Sequence, residues 1–287
     1  MLMQAGRTSG FFQSSDQVPL YCEWLFPETH PPRACVIMTH GYDDHSRRYL
    51  EVARFLASRG FAVMLFDYRG HGLAAGQRGA CDSFEEFLHD FDRALHVARG
   101  KTGDIPQILC AHSNGGLIAL RALCDPQWAS HGLSAVVLSS PYLAPNVKVS
   151  LATLALAQAM SRVAPRFSME TPLRVADLSH DPANLELRDI DPLCHRVVNA
   201  RWYTEARLAQ EFVLENVHRM TIPTLWLVAE DDRIVDAKVT LQAYERAGGE
   251  KSLHLYKGFF HEVFHEVERE RALSDLENWL SPRFPAR

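Results

Sequence analysis

The sequence predicts an α/β fold in which a mainly parallel sheet carries helices on both faces. Three observations support this prediction. Short, continuously apolar segments recur along the chain, which is typical of strands buried on both sides. Segments with apolar residues at helical spacing alternate with them, as crossovers between parallel strands require. The 287 residues, 47% of them hydrophobic and 23% charged, suffice for one large domain with a substantial core.

The predicted elements follow in order. Residues 11–27 form an antiparallel hairpin around the polar SSDQ. Buried strands are predicted over residues 34–41, 61–67, 107–111, 134–140, 224–230 and 252–258. Helices are predicted over 45–59 and 83–100, after Ser113, and over 236–247 and 261–280. Ser83 and Glu86 have the spacing of a capping box at the start of the second helix.

The alternation of strands and helices breaks from about residue 143 to 220. This stretch reads as helical and irregular, with no clear strand. The economical interpretation is an insertion between the fourth and fifth parallel strands, which divides the chain into a core (1–142 and 221–287) and an inserted segment (143–220). The apolar stretch 149–160 suits a lid over an apolar pocket, and it equally suits a helix packed on the main domain.

Composition excludes several functional classes. The formal net charge is −5 and no long run of Lys or Arg occurs, so we expect no nucleic-acid partner. The six cysteines lack CxxC or metal-like spacing, which indicates buried, reduced thiols and a reducing compartment. The N-terminal residues lack a continuous apolar segment, and no run of about 18 apolar residues occurs. We therefore expect a cytoplasmic protein without a spanning helix.

The stretch ILCAHSNGGLIAL, residues 108–120, predicts a sharp turn from a buried strand into a helix around Ser113. Such a turn exposes its central side chain at the carboxyl edge of the sheet, where ligands bind in open α/β folds. The usual form is G-x-S-x-G, and here Ala111 replaces the first glycine while Gly115 keeps the second. The extra methyl group is small, so Ser113 is the predicted nucleophile.

A nucleophilic serine needs a base and an orienting carboxylate, which should follow it in the order Asp or Glu, then His. His261 lies after the last predicted strand and is the candidate base, whereas His265 is expected to be a supporting or surface residue. Asp236 is placed to cap a helix. Asp231 and Asp232 both remain candidates, because spacing alone does not separate them.

An acyl-transfer site also needs N–H donors for the oxyanion. The N–H of Asn114 is one candidate, because this residue follows the nucleophile. The second donor is expected from the loop His40-Gly41-Tyr42 after the first parallel strand, and the Tyr42 N–H is the candidate. The His40 side chain is expected to brace this loop.

Together these motifs resemble the α/β-hydrolase superfamily, and within it the monoacylglycerol lipases and the related bacterial lysophospholipase-like hydrolases of the serine aminopeptidase type. HGYDDHSRRY resembles that group's segment of HG, a short loop, His-Ser and a later Tyr. FDYRGHG resembles its D-x-R-G-x-G loop, with Ala74 where a serine is common. AHSNGG, LSHDP with DPL, AEDDRIVD and GFFHEVFHE resemble its elbow, cap, acid and histidine segments. The likeness extends from about residue 20 to 280 and is thin across 143–220.

The resemblance implies a role for several residues and segments. Matching AEDDRIVD to the acid loop makes Asp232 the catalytic carboxylate, with Asp231 as the alternative. The insertion matches a cap that, in this family, builds an apolar acyl tunnel and can face a membrane surface. Asp67, Arg69 and His71 of the D-x-R-G-x-G loop are expected to hold loops together rather than to react.

The implied function is a serine carboxylic-ester hydrolase that acts on lipid-like esters of the monoacylglycerol or lysophospholipid class. The reaction passes through an acyl-enzyme and requires no metal or organic cofactor. A thioesterase, another small-ester hydrolase, a carbon–carbon hydrolase or a cofactor-free perhydrolase could use the same triad. A non-catalytic ligand-binding protein of the same fold is the alternative from another class. The natural substrate and the oligomeric state are left open by these motifs.

Overall fold

The computed structural model describes residues 6–28, 31–128, 132–146, 150–171 and 173–286, without the side chains of residues 151–153. An eight-stranded sheet has the order β1-β2-β4-β3-β5-β6-β9-β10. Its strands are β1 Gly6–Gln13, β2 Pro19–Phe26, β3 Cys35–Thr39, β4 Ala62–Asp67, β5 Gln107–His112, β6 Leu133–Ser139, β9 Thr224–Ala229 and β10 Lys251–Tyr256. β2 runs antiparallel to β1 and β4, and the remaining neighbours pair in parallel. The predicted mainly parallel sheet is confirmed.

Helices cover both faces of this sheet. They are α1 Leu50–Ser58, α2 Glu85–Thr102, α3 Asn114–Leu123, α4 Leu151–Val163, α5 Pro182–Ile190, α6 Ala200–Asn216, α7 Ala237–Arg246 and α8 Arg269–Arg283. One core cluster joins the sheet to α2, α3 and α6, and a second joins it to α1 and α8. Along β3, Cys35 and Ile37 face the first cluster while Val36 and Met38 face the second. Because both faces of the strand are buried, its sequence is continuously apolar.

Two helix starts differ from the sequence-based expectation. The segment predicted as a helix over 45–59 opens with a 3-10 turn, Ser46–Tyr49, before α1 begins. The segment predicted over 261–280 forms turns until α8 begins at Arg269. The Glu266 carboxylate accepts the backbone N–H of Phe260 at 2.7 Å, and this bond favours a turn over a helix directly after Phe260.

The predicted capping box at the start of α2 does not form, because the N-cap position is Phe84, which makes no side-chain cap bond. The Ser83 hydroxyl lies one residue earlier and accepts the Glu85 N–H at 3.1 Å. The Glu86 carboxylate, however, accepts the N–H of Asp82 at 2.8 Å, one residue before the position that a capping box uses.

The segment between β6 and β9 contains α4, α5 and α6 together with a two-stranded antiparallel sheet, β7 Ser168–Glu170 and β8 Val197–Asn199. The expectation that this stretch lacks a strand is therefore wrong. A strand of three residues is too short to produce a readable alternation of apolar and polar positions. Of the predicted cap, residues 147–149 and 172 lie outside the described residues. Among the helices that the structure describes, none has the length and apolar character needed to cross a membrane.

Candidate active site

Ser113 occupies a strained turn between β5 and α3. Its φ of 50° and ψ of −116° place it in the left-handed half of backbone space, which a residue with a side chain seldom adopts. The Ser113 N–H donates to the Ser139 carbonyl at 2.9 Å, and the Ser113 carbonyl accepts from Leu117 at 3.0 Å and from Tyr142 at 2.9 Å. These bonds hold the turn, so the hydroxyl is presented at the carboxyl edge of the sheet.

The small residues around this turn are required by close packing. A Cβ on Gly115 would lie 2.6 Å from the His40 carbonyl oxygen, and one on Gly116 would lie 2.8 Å from Pro141 Cβ. A Cβ on Gly41 would lie 3.3 Å from Ser113 Cβ, so the loop after β3 rests directly on the turn. Ala111 lies within β5 and is fully buried in the core, where its methyl group is accommodated.

The structure brings three side chains from distant parts of the chain into one hydrogen-bonded line. His261 Nε2 lies 2.8 Å from Ser113 Oγ, and His261 Nδ1 lies 2.7 Å from Asp232 Oδ2. All three residues are buried. With the proton on Nδ1, the other ring nitrogen can accept the serine hydroxyl proton, which is the arrangement a general base needs.

The three aspartates after β9 have different surroundings. Asp232 is buried, and its Oδ1 accepts the N–H groups of Ile234 and Val235 at 2.8 Å each, which leaves Oδ2 facing His261. Asp231 is exposed to solvent. Asp236 is the N-cap of α7, as predicted, and accepts the Lys238 N–H at 2.9 Å. The geometry therefore favours Asp232 over Asp231 as the partner of His261.

Two opposing effects act on the His261 imidazole. Burial lowers its pKa, because a charged ring loses hydration, whereas the adjacent Asp232 carboxylate raises it. The carboxylate prevails, and the pKa of His261 is raised above its ordinary value. A base with a raised pKa accepts the serine proton more readily, provided that the pH is high enough to keep it neutral at the start.

The loop carrying Gly41 and Tyr42 is held by His40 and Asp67. His40 is fully buried, donates from Nδ1 to the Gly41 carbonyl at 2.8 Å and stacks on Tyr68. Its carbonyl accepts the Gly115 N–H at 3.1 Å, which ties the loop to α3. Asp67 accepts the backbone N–H groups of Ser46 at 2.7 Å and Leu73 at 2.8 Å. These contacts agree with the bracing roles expected for His40 and Asp67.

Arg69 and His71 also make loop-holding contacts. The Arg69 guanidinium binds Asp90 of α2 at 2.7 and 2.9 Å and Asp16 of the hairpin at 2.8 and 2.9 Å. His71 is buried and donates from Nδ1 to the Arg69 carbonyl at 3.0 Å. Arg69 thus connects the first hairpin, the glycine-rich loop and α2.

The sequence reasoning missed a buried group of charges beside the site. Glu262 receives both terminal nitrogens of Arg48 at 2.8 and 2.7 Å, and Arg48 also binds Asp44 at 3.1 Å. His265 is buried and donates from Nε2 to the Arg48 carbonyl at 3.1 Å, so it is a supporting residue and not a surface one. Arg188 of α5 binds Asp43. The four-residue spacing of Asp44 and Arg48 was the one sequence signal for this group.

A cavity of about 600 Å³ opens above Ser113 and His261. Its wall is mainly apolar and comes largely from the segment between β6 and β9, with Leu156, Met160, Phe167, Val198 and Trp202 among the lining side chains. Its lining also includes the charged residues Asp44, Arg188 and Glu262. A cavity of this size and character can hold a small apolar molecule with one polar end.

Comparison with known proteins identifies the family. The sequence profile described as "Serine aminopeptidase, S33" matches residues 30–268, which is most of the chain. The chain belongs to this family. Its core has the α/β-hydrolase fold, and the predicted resemblance, fold and enzyme class are confirmed.

Individual proteins that this chain resembles agree with this result. The chain is 29% identical to a monoacylglycerol lipase of Mycolicibacterium smegmatis over 91% of this chain and 92% of that protein. It is 28% identical to the phospholipase YtpA of Bacillus subtilis over 83% of this chain and 92% of that protein. An abhydrolase domain-containing protein of Dictyostelium discoideum is 29% identical over 94% of this chain. That protein is longer, and the matched region covers 28% of its length.

Solved structures agree with these relatives. The crystal structure of Paleococcus ferrophilus monoacylglycerol lipase superposes with a TM-score of 0.79 at 28% identity, over 97% of this chain and 98% of that one. A soluble variant of monoglyceride lipase from Saccharomyces cerevisiae gives a TM-score of 0.85 at 20% identity over 96% of each chain. At that identity the second match shows the shared fold.

Proposed function

We propose that this protein is a serine carboxylic-ester hydrolase that acts on lipid-like esters of the monoacylglycerol or lysophospholipid class. The observation that carries the proposal is the hydrogen-bonded line Asp232–His261–Ser113 at the floor of a largely apolar cavity. The monoacylglycerol lipases and the phospholipase among the relatives support the class of substrate.

Acylation uses the three side chains in turn. His261 Nε2 takes the proton of Ser113 as the hydroxyl attacks the ester carbonyl, which forms a tetrahedral intermediate. Asp232 holds the proton on Nδ1 and stabilises the imidazolium that results. His261 then protonates the departing alcohol, and the acyl group remains on Ser113. Water repeats these steps to release the acid and restore the serine.

The Tyr42 and Asn114 N–H groups are the proposed donors for the oxyanion. Asn114 is the first residue of α3, and the N–H groups of a helix's first turn lack intrahelical acceptors. The positive end of the helix dipole adds to the attraction for developing negative charge. Gly41 packs against the Ser113 turn, which brings the following Tyr42 close to the reacting atoms. Ala111, Gly115 and His40 support the geometry without touching the substrate.

Residues 143–220 are the proposed cap, and they would receive the acyl chain. Exposed apolar side chains lie on α4 and around β7, including Leu156, Phe167 and Met169, which also line the cavity. Apolar side chains that are both exposed and continuous with a pocket suit transient contact with a lipid surface. The free thiols, of which Cys22, Cys35, Cys81, Cys110 and Cys124 are buried, support the proposed cytoplasmic location.

Substrate profiling of the wild type and Ser113→Ala tests the function. Hydrolysis is measured over p-nitrophenyl esters and monoacylglycerols of increasing chain length, with an acyl-coenzyme A as the thioester. The wild type should hydrolyse the oxygen esters, with preference for chains long enough to fill the cavity, and a folded Ser113→Ala should lose nearly all turnover. Faster turnover of the thioester would favour a thioesterase. Undiminished activity in Ser113→Ala would refute the proposal.

A further inference from the structure

Arg188 connects the segment between β6 and β9 to the loop that follows β3. It lies on α5, is 5% exposed, and its guanidinium binds the carboxylate of Asp43. Asp43 is 1% exposed and directly follows Tyr42. On its other side, Arg188 Nε lies 3.6 Å from Glu262 Oε1, beside His261. Arg188 therefore contacts residues adjacent to both the proposed base and a proposed oxyanion donor.

These contacts belong to a closed arrangement of buried charges. Arg188 pairs with Asp43 and with Glu262. Arg48 pairs with Glu262 and with Asp44, which is the chain neighbour of Asp43. Four of the five residues come from the core, and Arg188 alone among them comes from the intervening segment. The arrangement holds three carboxylates and two guanidiniums. Removing Arg188 would leave three carboxylates with one guanidinium.

The backbone at Asp43 has a conformation that needs support. Its φ is +54°, in the left-handed region that favours glycine. Burial raises the pKa of Asp43 to about 6 even though Arg188 acts in the opposite direction. Without its cation, the buried carboxylate would have to take up a proton or move toward solvent, and either change would remove the ion pair that ties the loop to α5.

We propose that Arg188 is a positioning residue for catalysis: by holding Asp43, it fixes the loop that presents the Tyr42 N–H to the oxyanion. Through this ion pair, the docking of α5 on the core also positions the loop that contributes to the oxyanion hole. This inference rests on the proposed function, because it requires an oxyanion at Ser113. Arg188 acts through Asp43 and not by touching the reacting atoms.

A double-mutant cycle with p-nitrophenyl acetate tests this inference. The short acetyl group leaves most of the cavity unfilled, so lost contacts to a long chain do not contribute. Loss of an entire oxyanion donor lowers kcat by about 100-fold to 1,000-fold, and a displaced donor should cost less. We expect Arg188→Met to lower kcat by about 10-fold to 100-fold with KM within about threefold, since the contact matters in the transition state.

The second arm of the cycle places Arg188→Met in an Asp43→Gly background. Glycine adopts a positive φ without strain, and this background lacks the Asp43 carboxylate, so Arg188 keeps only its longer contact with Glu262. Arg188→Met should then lower kcat by less than about threefold, because coupled residues show non-additive effects. Arg196→Met is the matched control. Arg196 is an exposed arginine paired with Asp189 of α5, and its replacement should leave kcat unchanged.

Each other outcome has a distinct meaning. An equal loss of kcat in both backgrounds would show that Arg188 acts without Asp43 and would overturn the inference, as would wild-type kcat in Arg188→Met. If Arg188→Met does not fold, the double variant is the test, because it lacks the unpaired Asp43 carboxylate. A folded double variant whose kcat is less than about threefold below that of Asp43→Gly supports the inference. A larger loss of kcat overturns it. A wild type without Ser113-dependent turnover would instead refute the proposed function.

Discussion

Asp231 and Asp232 are neighbours in the chain, yet their carboxylates have different environments. Asp232 is buried with one oxygen on His261 Nδ1 at 2.7 Å, while Asp231 is exposed. Asp232→Asn should lower kcat by about 10,000-fold, because an amide favours the wrong imidazole tautomer. Asp231→Asn is the matched control and should retain activity within a fewfold. Steady-state hydrolysis of a p-nitrophenyl ester by both variants measures this, and the reverse pattern would assign the carboxylate to Asp231.

The pKa of His261 determines how activity depends on pH. The base must be neutral to accept the Ser113 proton, and its pKa is raised above the ordinary value of about 6.5 by Asp232. As pH falls through that raised pKa, the imidazole becomes charged and activity is lost. We therefore expect kcat/KM to fall on an acidic limb whose midpoint lies above about pH 6.5. A flat kcat/KM profile from about pH 5 to 8 would contradict the role of His261 as base.

At the scale of elements, the junction of β5 and α3 depends on Gly115. Alanine favours a helix over glycine by up to about 1 kcal/mol, but a Cβ here would lie 2.6 Å from the His40 carbonyl. Overpacking costs about 1–3 kcal/mol, so Gly115→Ala should reduce the free energy of unfolding despite the better propensity. In α2, Gly100 has nothing within 4 Å of a Cβ, so Gly100→Ala should stabilise by about 0.5–1 kcal/mol. Urea denaturation compares the two, and equal stabilisation would show that the turn has spare room.

Helix α4 contributes apolar surface to the cavity mouth. Leu156 is 58% exposed and lines the cavity, whereas Leu208 of α6 is 60% exposed and is not among the lining residues. Leu156→Glu should lower the rate of hydrolysis of a long-chain monoacylglycerol in vesicles by about tenfold. This corresponds to losing part of the free energy gained when one leucine side chain is buried against the lipid. Leu208→Glu should not, and neither should alter hydrolysis of p-nitrophenyl acetate. Equal losses in both variants would show that general surface charge, and not the cavity mouth, is responsible.

At the scale of the whole molecule, Arg69 holds together parts of the chain that are far apart in sequence. Its removal would leave the fully buried Asp90 without its cation, and breaking a buried pair costs about 3–5 kcal/mol. Arg69→Met should therefore lower the free energy of unfolding by that amount. Arg59→Met removes an exposed pair with Glu277 and should cost less than about 1 kcal/mol. Denaturant titration of both variants tests this, and similar values would contradict the structural role of Arg69.

The sequence was sufficient to predict those features that depend on local pattern. β3 is continuously apolar because both of its faces are buried, and the Ser113 turn is marked by its small neighbours. Features that depend on distant contacts could not be predicted from local pattern alone. Spacing did not separate Asp231 from Asp232, and only the family resemblance favoured Asp232, because the difference lies in which carboxylate faces an imidazole at least 29 residues away. The contact of Arg188 with Asp43 spans 145 residues and left no signal in the sequence. β7 and β8 are too short for their alternation to be read.

The central claim is that Ser113 is an activated nucleophile. The most direct measurement is mass spectrometry of the intact and digested protein after treatment with a fluorophosphonate. We predict a single stoichiometric adduct on the peptide that carries Ser113, formed in the wild type and absent from a folded His261→Ala variant, because an unassisted serine reacts too slowly. Labelling that leaves Ser113 unmodified, or that proceeds equally without the His261 imidazole, would contradict the account.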